Sequence, residues 1–200
     1  MRVVGGAWRG RRLAAPAGRA TRPTSDFVRE AIFDVLVSLP GGVAAGVAAL
    51  TATDAGPLAG LAVLDLFAGS GALGIEALSR GAASCTFVER APAAIRVLRD
   101  NLARVGAPAE VVCVRAADYR RALRADAAGA RLYNLVLVDA PYALYPAVEP
   151  ELAGRLPAVV SPGAVVVVET ARDQAVSLSL VESGVRLYGD TRVTFLQARS

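Results

Sequence analysis

The stretch Asp65-Leu66-Phe67-Ala68-Gly69-Ser70-Gly71-Ala72-Leu73-Gly74 decides the fold. An apolar run at 62–67 leads into it and a helical pattern at 72–80 leaves it, so the glycines sit on a strand-to-helix turn. The G-x-G-x-x-G spacing lets backbone approach a ligand closely at a helix N-terminus, but alone it suits a dinucleotide as well as other nucleosides. Asp65, at the end of the strand, narrows the choice. A carboxylate there repels a pyrophosphate and suits a ligand carrying positive charge, such as the ammonium and sulfonium of S-adenosyl-L-methionine.

Reading toward the C-terminus, strand and helix patterns alternate. Strands are expected at 84–89, 110–115, 135–139 and 164–169, and helices at 92–105, 119–127 and 148–156. Repeated strand–helix units imply a parallel sheet covered on both faces, doubly wound, with its site at the C-terminal ends of the strands. Val185 to Tyr188 and Val193 to Gln197 flank Gly189-Asp190, which reads as a closing antiparallel hairpin. The architecture is therefore α/β and Rossmann-like.

Acidic residues close three of the strands. Glu89 ends the second and can accept both ribose hydroxyls of a nucleoside, with Arg90 beside it. Ala117-Asp118 follows the third; Asp118 either accepts from an adenine amine or caps the next helix. Asp139-Ala140-Pro141-Tyr142 ends the fourth, bordering the crevice beside the first strand. An exocyclic base amine is a poor nucleophile because its lone pair is delocalised into the ring. Asp139 can accept one of its N–H groups and the Ala140 carbonyl the other, while Tyr142 offers a face on which a flipped base can stack.

Toward the N-terminus the chain changes character. Residues 1–30 hold seven Arg against two acids, a net +5, whereas the remaining 15 Arg face 16 acids. The whole excess of positive charge thus lies in the opening segment. Every basic side chain is Arg, which pairs bidentately with phosphate and stacks on bases, and Trp8 lies among them. This favours a polyanion-binding surface formed by Arg2, Trp8, Arg9, Arg11, Arg12, Arg22 and Arg29. Residues 1–24 read as a small hairpin or extended arm. A helix follows, capped by Ser25 or Asp26, with Val28, Ile32, Phe33, Leu36 and Val37 recurring at helical spacing. Three regions are expected: a basic hairpin and helix at 1–39, a loop insertion at 40–60 and a catalytic domain at 61–200.

Composition excludes other classes. With 54% hydrophobic and 20% charged residues the chain is globular. No apolar run approaches the ~20 residues that span a bilayer, and the opening residues lack the apolar core of a signal peptide. A cytoplasmic protein is expected. Cys85 and Cys113 sit in apolar runs and read as reduced thiols. The absence of His removes the commonest general base and zinc ligand, and no metal is expected.

These residues resemble the bacterial 16S rRNA (guanine-N2) methyltransferases of the RsmD family, which act on the helix-31 loop. The resemblance spans nearly the whole chain. Arg2 to Arg12 is similar to the family's opening hairpin. Arg22-Pro23-Thr24-Ser25-Asp26-Phe27-Val28-Arg29-Glu30-Ala31-Ile32-Phe33 carries its R-P-T-x-D-x-x-R-E-x-x-F pattern. Asp65 to Ala82 with Phe87-Val88-Glu89 is similar to its cofactor half, and Tyr188-Gly189-Asp190-Thr191 to its last hairpin. The family usually carries D-P-P-[YF]; here Ala140 replaces the first Pro, which keeps a carbonyl but not the fixed φ.

The resemblance implies a class I methyltransferase with a seven-stranded, mostly parallel sheet. It implies S-adenosyl-L-methionine held by Asp65, Phe67, Ala68, Gly69, Ser70, Gly71, Glu89, Arg90, Ala117 and Asp118, and guanine held by Asp139, Ala140, Pro141 and Tyr142. The implied partner is 16S rRNA in the small subunit or its assembly intermediate, met by a monomer. Three alternatives stay open on sequence: an amine methyltransferase acting on another RNA or on DNA, a catalytically silent RNA-binding or assembly protein, and a nicotinamide oxidoreductase. Asp65 argues against the last.

Overall fold

The computed structural model describes residues 1–15, 25–38 and 56–199. Arg22 and most of the expected 40–60 insertion lie outside the described residues.

The apolar runs become strands and the amphipathic stretches become helices. Helix α1 (Asp26–Ser38) precedes β1 (Ala62–Leu66), α2 (Ala72–Ser79), β2 (Ser84–Glu89), α3 (Pro92–Arg104) and β3 (Val112–Ala116). Then come α4 (Tyr119–Ala128), β4 (Tyr133–Val138), α5 (Tyr145–Arg155), β5 (Val160–Ala171), β6 (Val181–Tyr188) and β7 (Thr191–Gln197). The strands form one sheet in the order β3-β2-β1-β4-β5-β7-β6. The first five are parallel, and β7 joins β5 and β6 antiparallel. The seven-stranded, mostly parallel sheet with a terminal hairpin is as expected. Gly189, with φ 58°, makes the tight turn of that hairpin.

Alternation along the strands sorts the core into two layers. Val63, Leu135, Leu137, Val165, Val167, Val193 and Phe195 face α1, α2 and α3, and Leu64, Leu66, Val136, Val138, Val166 and Val168 face α4 and α5. The order reverses direction between β1 and β4, so a crevice opens at their C-terminal ends. The Asn134 carboxamide oxygen accepts the Ala62 amide at 2.9 Å, tying the start of β1 to β4.

The opening segment forms a small hairpin, with an Arg2–Arg12 bridge and Val3 N–H donating to the Arg11 carbonyl at 3.0 Å. Val3 and Leu13 from it, and Val28, Ile32, Phe33 and Leu36 from α1, share the core layer that covers α2. Ser25 caps α1, its hydroxyl accepting the Val28 amide at 3.1 Å. Val37, expected on the core face, is 53% exposed. The buried arc of α1 runs through Val28, Arg29, Ile32, Phe33 and Leu36, and Val37 falls beyond its edge.

Candidate active site

The glycine turn is built by three different constraints. At Gly74 a Cβ would lie 2.3 Å from the Phe87 ring and 2.7 Å from the Cys85 sulfur, so this glycine serves close packing of α2 on β2. At Gly71, φ is 80° and a Cβ would strike Leu98 at 2.2 Å. At Gly69, φ is 54° but the nearest atom to an added Cβ, the Phe67 carbonyl oxygen, is 3.8 Å away. The first glycine therefore opens a cradle that a ligand can approach, while the other two close the turn behind it. Phe67 itself holds a left-handed φ of 63°, costly for a residue with a Cβ, and its ring leans on Tyr119 at 4.9 Å between centroids.

Asp65 does not present its carboxylate to a ligand, contrary to the sequence-based expectation. It is buried, and its Oδ2 accepts the Gly74 amide at 2.9 Å. It satisfies a donor of the first turn of α2 and so holds the glycine turn in shape. Burial pushes its pKa up to about 7, against the lowering effect of the Gly74 hydrogen bond.

Glu89 ends β2, beside the glycine turn. One carboxylate oxygen accepts the Gly69 amide at 2.9 Å, and the other accepts Arg90 and Ala91 amides at 2.8 and 2.7 Å. Each carboxylate oxygen has two acceptor sites, so a nucleoside hydroxyl can still be bound. Asp118 caps α4, accepting the Arg120 amide at 3.0 Å, and lies 3.9 Å from the Arg90 guanidinium. The Ala117 amide donates to the Glu89 carbonyl at 3.0 Å. Glu89, Arg90, Ala117 and Asp118 thus gather at neighbouring strand ends, and Phe67, Ala68, Ser70 and Gly71 line the turn between them and the crevice.

The fourth strand brings its loop to the same place. The Asp139 amide approaches the Leu66 carbonyl at 3.5 Å, directly before the glycine turn. Ala140 is buried and Pro141 is exposed. The Tyr142 hydroxyl donates to Glu169 at 2.9 Å and lies 2.8 Å from the Thr191 hydroxyl. Burial, followed by the neighbouring carboxylates, raises the Tyr142 pKa, so the phenol stays neutral. Its hydroxyl is anchored to β5 and β7, which fixes the position of the ring.

The opening hairpin docks on the elements that frame the turn. Glu76, fully buried in α2, accepts the Val4 and Gly5 amides at 2.9 and 2.7 Å and pairs with Arg80 at 2.9 Å. Asn101, fully buried in α3, accepts the Ala14 amide at 2.8 Å and donates to the carbonyls of Ala14 and Ser70, both at 2.9 Å. One carboxamide thus joins the arm to the glycine turn. Neither residue was singled out by the sequence reading. A lone carboxylate in the apolar run of α2 was the available signal for Glu76.

The arginines divide. Arg2, Arg9 and Arg12 are exposed, and Trp8 is half-buried against the core. Arg11 is exposed, but its guanidinium donates to the Val105 carbonyl. Arg29 does not belong to an RNA-facing set: it is fully buried, with its guanidinium bonded to the Arg2 carbonyl, 2.8 Å from Asp26 and 3.5 Å from Glu76. The helical spacing that buries Val28, Ile32, Phe33 and Leu36 carries position 29 inward too. Cys85 and Cys113 are free thiols, and burial raises the pKa of Cys85. Among the described residues no cluster of side chains could hold a metal, and no helix is long and apolar enough to cross a membrane.

With that geometry in place, the sequence profile of a family described as Conserved hypothetical protein 95 matches residues 1–197. The chain belongs to this family. The Escherichia coli protein named Ribosomal RNA small subunit methyltransferase D is 37% identical over 143 residues, 71% of this chain and 60% of that one. A candidate rRNA methyltransferase of Bacillus subtilis, YlbH, is 40% identical over 143 residues, 71% of this chain and 67% of its own length. The alignments thus span 60% to 67% of the length of these curated relatives. In solved structures, the Thermus thermophilus protein TTHA0928 matches with a TM-score of 0.77 at 29% identity, covering 100% of this chain and 99% of that one. An RNA methyltransferase of Salinibacter ruber, solved with S-adenosyl-L-homocysteine, shares the fold at 17% identity with a TM-score of 0.59, over 90% of this chain and 95% of its own. The named relatives place this chain among the methyltransferases.

Proposed function

We propose that the protein methylates the exocyclic N2 of a guanine in 16S rRNA, in the helix-31 loop of the small subunit, using S-adenosyl-L-methionine. The observation that supports this most directly is the apposition of two strand ends, where the Asp139 amide meets the Leu66 carbonyl at 3.5 Å beside the open cradle of Gly69. The residues fit the cofactor: a turn with room at Gly69, and a carboxylate at Glu89 with one acceptor site left beside its three backbone donors. S-adenosyl-L-methionine supplies a methyl group already activated on a sulfonium.

The chain's own part is to position and polarise. Asp139 accepts one N–H of the guanine amine and the Ala140 carbonyl the other, drawing the nitrogen toward a tetrahedral form whose lone pair faces the methyl. As transfer proceeds, positive charge grows on that nitrogen and the Asp139 carboxylate stabilises it and then accepts or relays the proton. The Tyr142 ring holds the flipped base, because its hydroxyl is fixed at the far end by Glu169 and Thr191. The exposed Arg2, Arg9 and Arg12 meet the RNA backbone.

The deciding experiment offers purified protein and radiolabelled cofactor to small-subunit particles, naked 16S rRNA and duplex DNA, then maps the methylated nucleotide by mass spectrometry. Label on a helix-31 guanine N2 is expected. Label on DNA or on an adenine would overturn the substrate assignment, and no transfer to any of them would overturn the enzymatic reading.

A further inference from the structure

Of the motif Tyr188-Gly189-Asp190-Thr191, only Thr191 enters the chemistry just described, as an anchor for Tyr142. Tyr188 and Thr191 are direct partners across the β6–β7 turn. Paired residues of two antiparallel strands project from the same face of the sheet. Thr191 uses its hydroxyl on Tyr142 at 2.8 Å, so Tyr188 stands on that same face. Against Tyr188 lies Phe27, from the first turn of α1, edge to face with ring centroids 5.8 Å apart and planes at 85°.

Phe27 is 68% exposed, the most exposed of the large apolar side chains among the described residues. It contributes little to the core, whereas Tyr188, packed on the layer beneath α1, backs it. Exposed arginines stand on two sides of the pair, with Asp26 and Asp190 between them. The Arg2 amide bonds the Asp26 carboxylate at 3.3 Å, one residue before Phe27, and the side chains of Arg2 and its bridge partner Arg12 are exposed. On the other side Arg172 holds the hairpin turn, its guanidinium donating to the Gly189 carbonyl at 2.8 Å and its backbone amide to the Asp190 carbonyl at 2.9 Å. Aromatic faces bordered by arginines suit a single-stranded nucleic acid, whose unstacked bases lie on rings while the phosphates meet guanidinium groups.

We infer that Phe27 and Tyr188 form a stacking platform at the mouth of the crevice for an RNA base neighbouring the one that is methylated. The inference rests on the RNA methyltransferase reading and adds a subsite to it. A flipped base leaves a gap in its own strand, and a ring that catches its neighbour holds the strand open while Tyr142 holds the target. The platform thus governs capture of RNA, apart from transfer.

The test uses full-length protein and a helix-31 rRNA fragment carrying 2-aminopurine on either side of the methylated guanine. Phe27→Ala is expected to raise KM for the RNA about tenfold, with a much smaller change in kcat and none in affinity for S-adenosylhomocysteine. The fluorescence quenching of one flanking 2-aminopurine on binding should be lost in Phe27→Ala and restored in Phe27→Trp. An unchanged KM in Phe27→Ala, or equal loss of RNA and cofactor affinity, would overturn the platform. A KM raised on particles but not on the naked fragment would reject a base in favour of a protein contact. Failure of the wild-type protein to methylate RNA, in contrast, would remove the underlying reading.

Discussion

The ends of β1 and β4 lie side by side and both carry an aspartate, yet the two carboxylates serve different purposes. Asp65 is buried and bonded to the Gly74 amide, and its work is internal to the turn. Asp139 is half-buried, on a loop whose amide leans on the neighbouring strand, with Tyr142 fixed beyond it. A carboxylate inside a turn shapes backbone, whereas one at the lip of a crevice acts on what enters it. The contrast teaches that residue type and strand position do not settle a role; the backbone donors within reach do.

The widest separation between the two ends should come from Asp139→Ala. It is expected to lower kcat about 100- to 1000-fold while leaving affinity for S-adenosylhomocysteine nearly intact. Single-turnover rates beside calorimetric cofactor binding would check this, and equal losses would erase the contrast. Glu89→Gln should do the reverse. Replacing one oxygen by an amide nitrogen sets a donor against the Gly69 amide or against those of Arg90 and Ala91, so cofactor affinity should fall about tenfold, and kcat at saturating cofactor far less.

Tyr142→Phe keeps the ring but loses its anchor to Glu169 and Thr191. A fall in kcat of about three- to fivefold is expected, well short of that in Tyr142→Ala. Steady-state kinetics on both variants distinguish a stacking wall from a chemical group. The smallest effect concerns Asp65. Its native pKa of about 7 lies above the ordinary 3.8, so between these values the folded state holds a proton that the unfolded chain releases. Stability from this group is therefore greatest at low pH and declines as pH rises across that window. Asp65→Asn has no such titration, and its melting temperature relative to wild type should climb from roughly pH 4 to pH 7. A constant difference would show that Asp65 is ionised throughout.

The sheet was legible because β strands buried on both faces read as unbroken apolar runs, as in Val165 to Val168, and the glycine turn because its spacing follows from geometry. The edges were less so. Strand β5 extends over Val160–Ala171, past the expected 164–169, because Val160 already pairs with Tyr133 and Ser161-Pro162-Gly163, which reads as a turn in isolation, is carried as a bulge before Val165 pairs with Leu135. Apart from Asp65, the buried polar groups that tie elements together were not legible. Asp126, in α4, pairs with Arg115 at 2.6 Å and accepts from the Tyr133 hydroxyl at 3.0 Å, yet it sits in an Arg- and Ala-rich helix that looks solvated. Its partners come from other strands, and no local pattern records that. Arg29 shows the opposite error: a basic motif suggested a surface role when the helical period already turned the residue inward.

The docking of the opening hairpin also sets an order of events during synthesis. Its first fourteen residues find their acceptors on Glu76, Ser79 and Asn101, between 71 and 87 positions later. During synthesis this cationic segment therefore emerges before its acceptors, and it is not fully anchored until α2 and then α3 have cleared the exit tunnel. The hairpin can dock only on elements that are already in place, so its contacts are among the late ones to form.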